Sequence, residues 1–389
     1  MISFILSCFF IWRLLLFLAA YTGSLLLPFE PRFPYSDVYL LPSRLPAWLW
    51  SFANFDGVHY LTIAAKGYSA KFTQVFFPLF PVILGILQNI LFFFPSLLVA
   101  LTISNLFFLS ALFVFYKLLR IDYDNIVIKW IFIFLLLTPT SFFFASLYTE
   151  GMFLLLVVSA FYFARKKRWI AASVAVGLAS ATRFVGIFLL PALLWEWHKN
   201  RIKNQESRIM NTNNILTSYF LLLTSPVLYI APLGLIVYMI YLQINFGDAL
   251  YFWHAQPVFG AAREGTGIVL LPQVFWRYFK ILTSVPANQL SFWIPLAEFV
   301  ATLSAIFLLI FAHRRKIRFS YLIYSWPALI LPTLTGTLSS MPRYILIIFP
   351  IFIVLGLIKS KVIKFLILTS FFLLLVVFTV LFTRGRWIA

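Results

Sequence analysis

Apolar runs of about 20 residues recur from one end of this chain to the other, each long enough to cross a bilayer as a helix. Inside lipid the backbone polar groups of such a run must be satisfied within the spanning element, which favours helices. The chain has 389 residues, 63% hydrophobic and 11% charged, with a mean hydropathy of +0.98. Soluble domains average about 45–50% apolar and about 25% charged residues. The expectation is an all-α polytopic membrane protein. No hydrophilic stretch is long enough for a separate soluble domain, so residues 1–389 are expected to form a single transmembrane domain. The sole cysteine, Cys8, excludes a disulfide framework and a thiolate metal site. The first run, ISFILSCFFIWRLLLFLAAYTGSLLL, is too long for a signal-peptide core and lacks a small-residue cleavage pattern, so it reads as a retained helix.

The net charge of +19 would suggest nucleic acid in a soluble protein. Here no basic stretch interleaves aromatics on a soluble face, so nucleic acid is not an expected partner. More than half of the 30 Lys and Arg fall in five clusters: Lys117 to Lys129, RKKR at 165–168, HKNRIKNQESR at 198–208, HRRKIR at 313–318 and KSKVIK at 359–364. Cytoplasmic loops collect such residues, and anionic lipid holds them there.

Placing all five clusters on the cytoplasmic side orders the rest. The first helix, about 3–27, exits to a Pro-rich outer loop at 29–75. Residues 79–94 read as a re-entrant or interfacial helix, and 97–119 as a span. Segments 128–146 and 150–164 go out and return. The run 169–194 is a helix pair broken near Thr182-Arg183-Phe184. Then 216–243 goes out, 244–288 forms a second outer loop, and 289–312 returns. Segments 320–337, 342–358 and 362–382 complete about eleven embedded helices.

Every conspicuous polar group within the apolar sequence then falls on the outer face. These are FDGVHY with FFPLFP, SLYTEG at 146–151, ATRFVG at 181–186, FGDALYFWHAQ at 246–256 and SSMPRY at 339–344. Ionisable residues in membrane segments are costly and mark function. Asp56, His59, Glu150, Arg183 and Arg343 are therefore candidates for one outward-facing cleft. The bland readings are a helix N-cap for Asp56, a dipole partner for Glu150 and a snorkelling cation for Arg183. Arg13, inside the first span, reads as a lipid-phosphate anchor or an ion-pair member. The FFPLFP prolines read as shaping a re-entrant helix.

No phosphate loop or GxGxxG motif points to a nucleotide. No His or Cys spacing points to a metal, and no GxSxG elbow to a serine hydrolase. One strong carboxylate, several arginines, histidines and aromatics suit transfer from a lipid-linked phosphate to a hydroxyl. The carboxylate would take the hydroxyl proton, the arginines the departing phosphate, and the aromatics a sugar and a lipid tail.

Four elements carry a family resemblance. FDGVHYLTIAAKGY…FFPLFP, SLYTEG, FGDALYFWHAQ and PRYILIIFPIF stand in order between residues 52 and 352. They resemble the motifs of PIG-V-type mannosyltransferases, the GPI mannosyltransferase 2 family and its prokaryotic relatives. The resemblance implies a GT-C fold with its catalytic acid in the first outer loop, and an inverting mannosyltransferase using dolichyl- or undecaprenyl-phosphate mannose. Asp56 matches the catalytic acid. His59, Tyr60, Tyr148, Glu150, Arg183, His254, Gln256, Arg343 and Tyr344 are the expected substrate-binding residues.

No cofactor is expected, and no essential divalent metal. The expected partners are the bilayer, the donor and a glycolipid or glycoprotein acceptor; the sequence names no protein partner. The short chain and small loops favour a prokaryotic plasma membrane over the ER. The other function classes are a transporter or flippase of lipid-linked sugars, and a GT-C transferase of another sugar. Only one broken helix is present, without the second copy that transporter repeats show.

Overall fold

The computed structural model describes residues 1–31, 33–206, 225–260, 263–264 and 267–388. All regular structure among them is helical. Four expectations fall partly outside: residue 32 of the 29–75 loop, residues 207–208 of the basic cluster at 198–208, residues 216–224 of the 216–243 span, and residues 261–262 and 265–266 of the 244–288 loop.

Five helices among the described residues are long and apolar enough to cross a membrane: Ile2–Leu26, Ser96–Leu119, Pro226–Phe246, Leu290–Arg314 and Lys361–Thr383. Helix Ile2–Leu26 shows why they suit a bilayer. Ile5, Phe9, Trp12, Leu16, Ala20 and Gly23 recur at helical spacing and are buried. The opposite face carries exposed Phe10, Ile11, Leu14, Leu18 and Leu25. A helix that is apolar on all sides belongs in a core or in lipid. This is a multi-pass membrane protein.

The expected segment 150–164 is one helix, Glu150–Arg165, whereas two other expected spans are broken. The segment expected at 128–146 is a helix, Asn125–Leu137, followed by a 3₁₀ turn, Ser141–Phe144. The segment expected at 342–358 is divided into Met341–Tyr344, Ile345–Ile347 and Pro350–Gly356. Thr138-Pro139-Thr140, Pro342 and Pro350 interrupt the hydrogen-bond ladder. Both irregular stretches are buried: Phe142, Phe143, Phe144, Leu346, Ile348 and Phe349 are each 0% exposed. Non-helical backbone is tolerated at membrane depth when protein surrounds it.

Helix Glu150–Arg165 lies at the centre, packed between Ser96–Leu119 and Trp169–Thr182. Its 16 residues span about 24 Å. At its C-terminal end Arg165 makes a two-pronged pair with Asp122, at 2.5 and 2.8 Å. Nearby, Glu196 accepts hydrogen bonds from Arg318 and Ser320. The opposite end, at Glu150, is where the candidate site lies.

Candidate active site

Three chain segments pin the turn that begins helix Asp56–Lys66. Phe55, the residue before it, has φ 59° and ψ −114°, a conformation that a non-glycine side chain adopts at a cost. Its ring is held by Phe33, Phe382 and Trp387. Asn54 donates from its amide to the Phe382 carbonyl at 2.9 Å. The Tyr148 hydroxyl donates to the Asn54 carbonyl at 3.0 Å and accepts from the Asp56 backbone N–H at 3.2 Å. The strain is thus paid for by packing that fixes where Asp56 points.

Asp56 does not use its side chain as a cap. Its Oδ2 accepts from Arg343 Nη1 at 2.5 Å. Arg343 Nε lies 3.4 Å from Glu150 Oε1, and the same oxygen accepts from Arg183 Nη1 at 2.9 Å. Two carboxylates and two arginines from four segments thus alternate in one chain of charge. Glu150 is 1% and Arg343 7% exposed at the side chain, whereas Asp56 is 20% exposed. The rings of Phe143, Tyr148, Tyr344 and Trp387 surround the Arg343 guanidinium at 5.2–5.7 Å. Arg183 reaches this point because helix Trp169–Thr182 ends there and Arg183 turns extended, at φ −154° and ψ 143°.

Asp56 faces a cavity of about 1520 Å³. His59, Tyr60, Arg183, Gln256, Arg343 and Tyr344 line it too. His59 stacks on Phe76 at 5.0 Å and meets the Tyr35 ring edge-on. Burial pushes its pKa below the usual imidazole range, with Asp56 opposing. Burial, reinforced by Asp56 and Glu150, raises the Tyr60 phenol and keeps it protonated. Tyr344 presents its ring to both arginines, 5.4 Å from Arg183 and 5.2 Å from Arg343.

Three expected residues stand elsewhere. Tyr148 and Glu150 are buried behind the wall and act on Asp56 and the arginines. His254 is not in the wall; its Nδ1 pairs with Asp248 at 2.7 Å on an exposed turn. The short helix Tyr251–His254 sends Phe252 and Trp253 towards the cavity instead. Arg13 is likewise outside the wall, between the rings of Phe17 and Phe52 at 4.1 and 4.4 Å.

Sequence reasoning missed the far wall. Glu298, inside helix Leu290–Arg314, is 4% exposed and accepts from the Tyr278 hydroxyl at 2.5 Å. Thr337 Oγ1 lies 3.2 Å from that hydroxyl. The signal was present: Glu298 is the one charged residue between 290 and 312. Arg263 and Arg277 also line the cavity. Among the described residues no three His, Cys, Asp or Glu gather as a metal site.

The family model for mannosyltransferase (PIG-V) matches residues 1–256. The chain belongs to the PIG-V mannosyltransferase family. It is a membrane mannosyltransferase, and so a glycosyltransferase. No curated protein and no solved structure matches it. The match to the PIG-V family takes in Asp56, Glu150, Arg183 and Gln256 and ends before Arg343.

Proposed function

We propose that the protein transfers mannose, with inversion, from a polyprenyl-phosphate mannose to a hydroxyl of a glycolipid or glycoprotein. The observation that carries this reading is the Asp56 carboxylate on the wall of a large cavity, held in place by Arg343. Asp56 takes the proton of the acceptor hydroxyl as its oxygen attacks the anomeric carbon. The bond from that carbon to the phosphate oxygen breaks on the opposite face, and polyprenyl phosphate leaves with the electron pair. N–H groups of Arg343 and Arg183 face the phosphate as negative charge grows on it, and His59 stands one turn from the base.

The cavity volume exceeds the about 300–1,000 Å³ of a typical small-ligand site, which supports two substrates held together. Phe72, Phe76, Phe77 and Trp253 supply the aromatic lining. We assign the architecture to the GT-C type, one domain with about eleven embedded helices, in a prokaryotic plasma membrane with the cavity on the outer side. Shorter apolar helices among the five long ones support the multi-helix part of this reading. A phosphate is already a good leaving group, and both inner carboxylates are paired with arginine rather than grouped for a metal. Transfer is therefore expected to survive chelation.

Membranes containing wild type or Asp56→Asn, given radiolabelled polyprenyl-phosphate mannose, test the reading. Asn keeps the shape but cannot accept the proton. Transfer by wild type, with loss of about 10²–10⁴-fold in the variant at equal expression, is expected. Equal transfer by both would remove Asp56 as the base. Transfer from a water-soluble sugar nucleotide instead would overturn the donor.

A further inference from the structure

The charges of the cavity wall do not balance. Six basic residues line it (Lys71, Arg183, Arg263, Arg277, Arg343 and Arg386) against three acidic ones, Glu30, Asp56 and Glu298. Arg343 is matched by Asp56, Arg183 by the buried Glu150, and Arg386 by Glu30 at 3.3 Å. The two arginines nearest the base are thus already neutralised by carboxylates. Among the described residues neither Arg263 nor Arg277 has a carboxylate within ion-pair distance, although the Glu264 side chain packs beside Gly336 as Arg277 does, while Lys71 is exposed.

Arg277 is held in place without being spent. Arg277 donates one N–H, from Nη1, to the Gly336 carbonyl at 3.1 Å. A guanidinium has five such donors, so the others remain for a ligand. Gly336 suits this turn because its φ is +87°, a left-handed conformation that favours glycine. The strand of chain bearing Arg263 is tied to the same segment. Glu264 N–H donates to the Thr335 carbonyl at 2.8 Å, and Val269 N–H to the Leu334 carbonyl at 3.0 Å. Arg263 lines the cavity together with Glu298 and Tyr344.

We propose that Arg263 and Arg277 form a phosphate subsite of the cavity, separate from the carboxylate-paired arginines beside Asp56. It takes a lipid-borne phosphate, with Arg277 offering a planar pair of donors to two oxygens. Both residues lie beyond the family-matched residues 1–256. This rests on the reading of the cavity as the transfer site. The phosphate has two sources to distinguish: the donor phosphate, which Arg263 and Arg277 would hold together with Arg183 and Arg343, or a phosphate on the acceptor.

The test is equilibrium binding to the purified full-length protein in detergent, with radiolabelled undecaprenyl phosphate, undecaprenol and dioleoyl phosphatidic acid. The variants are Arg263→Gln and Arg277→Gln; glutamine keeps an N–H for Gly336. Lys280→Gln, on an exposed part of the same helix and outside the cavity wall, is the control. Wild type is expected to favour a phosphate ligand over the alcohol, and each variant to lose about tenfold or more of that preference. Alcohol binding and thermal unfolding should stay unchanged. Loss with undecaprenyl phosphate assigns the subsite to the donor, and loss confined to phosphatidic acid assigns it to the acceptor. Wild-type preference retained in both variants overturns the subsite. If wild type still transfers mannose in that case, the transfer reading stands alone. If wild type shows neither transfer nor phosphate preference, both fall.

Discussion

Asp56 and Glu150 share one arginine, so removing either carboxylate changes the charge that the other meets. The two changes should nonetheless look different. Asp56 is partly open to the cavity, and Asn in its place should remove transfer with a small change in thermal unfolding. Glu150 is buried against two arginines, and Gln there leaves Arg183 without a countercharge and Arg343 with Asp56 alone. Breaking a buried pair costs about 3–5 kcal/mol, so Glu150→Gln should lower the unfolding temperature in detergent and reduce kcat through misplacement of Arg343. A Glu150→Gln protein as stable as wild type would remove Glu150 from this role. His59 adds a pH dependence. Its folded pKa is depressed, so the unfolded chain binds the proton more readily. Stability is then full above the ordinary imidazole pKa of about 6.5 and is lost as pH falls below it. His59→Gln should flatten the fall in unfolding temperature between pH 7 and pH 5. The charged residues were legible in the sequence because each interrupts apolar surroundings. Their pairing was not, since Asp56 and Arg343 are 287 positions apart. Glu298 was passed over because its run reads as an ordinary span when averaged.

At the level of elements, Arg183 is placed by the helix that precedes it, and that helix is placed by glycine. A Cβ on Gly234 would stand 1.8 Å from the Gly177 carbonyl oxygen, and 2.7 Å from Ser180 Oγ. Close backbone approach of this kind is how membrane helices pack. Gly234→Ala should force helices Trp169–Thr182 and Leu233–Phe246 apart, at about 1–3 kcal/mol, and lower transfer as Arg183 moves. Gly267→Ala, whose Cβ meets nothing within 4 Å, is the control; equal unfolding temperatures for the two would refute the packing argument. Hydropathy made the long lipid-facing helices legible. It could not separate them from segments buried in protein, because both are apolar. That is why 342–358 looked like one span and is instead two short helices around a buried turn. The amphipathic helix Leu271–Ser284 was hidden for the converse reason. Its Trp276 and Phe279 are exposed while Val274 and Tyr278 are buried, a pattern of an element lying at an interface rather than crossing it.

For the whole molecule, the central helix separates two chemically opposite ends. Glu150 stands behind the cavity wall, and Arg165, about 24 Å away, begins the RKKR cluster. His313, Arg315, Lys316 and Arg318 gather with Asp122 at that same basic end. If basic residues mark the cytoplasm, the cavity opens on the other side, where a lipid-linked sugar rather than a nucleotide sugar would be the donor. Lys71 and Arg315 are exposed residues of the two ends. In a Cys8→Ser background, Lys71→Cys should react with a membrane-impermeant maleimide on intact cells. Arg315→Cys should react only after the membrane is opened. The reverse pattern would put the cavity on the cytoplasmic side, within reach of soluble nucleotide sugars. The membrane argument for a polyprenyl-phosphate donor would then be lost, while Asp56 could keep its place as the base.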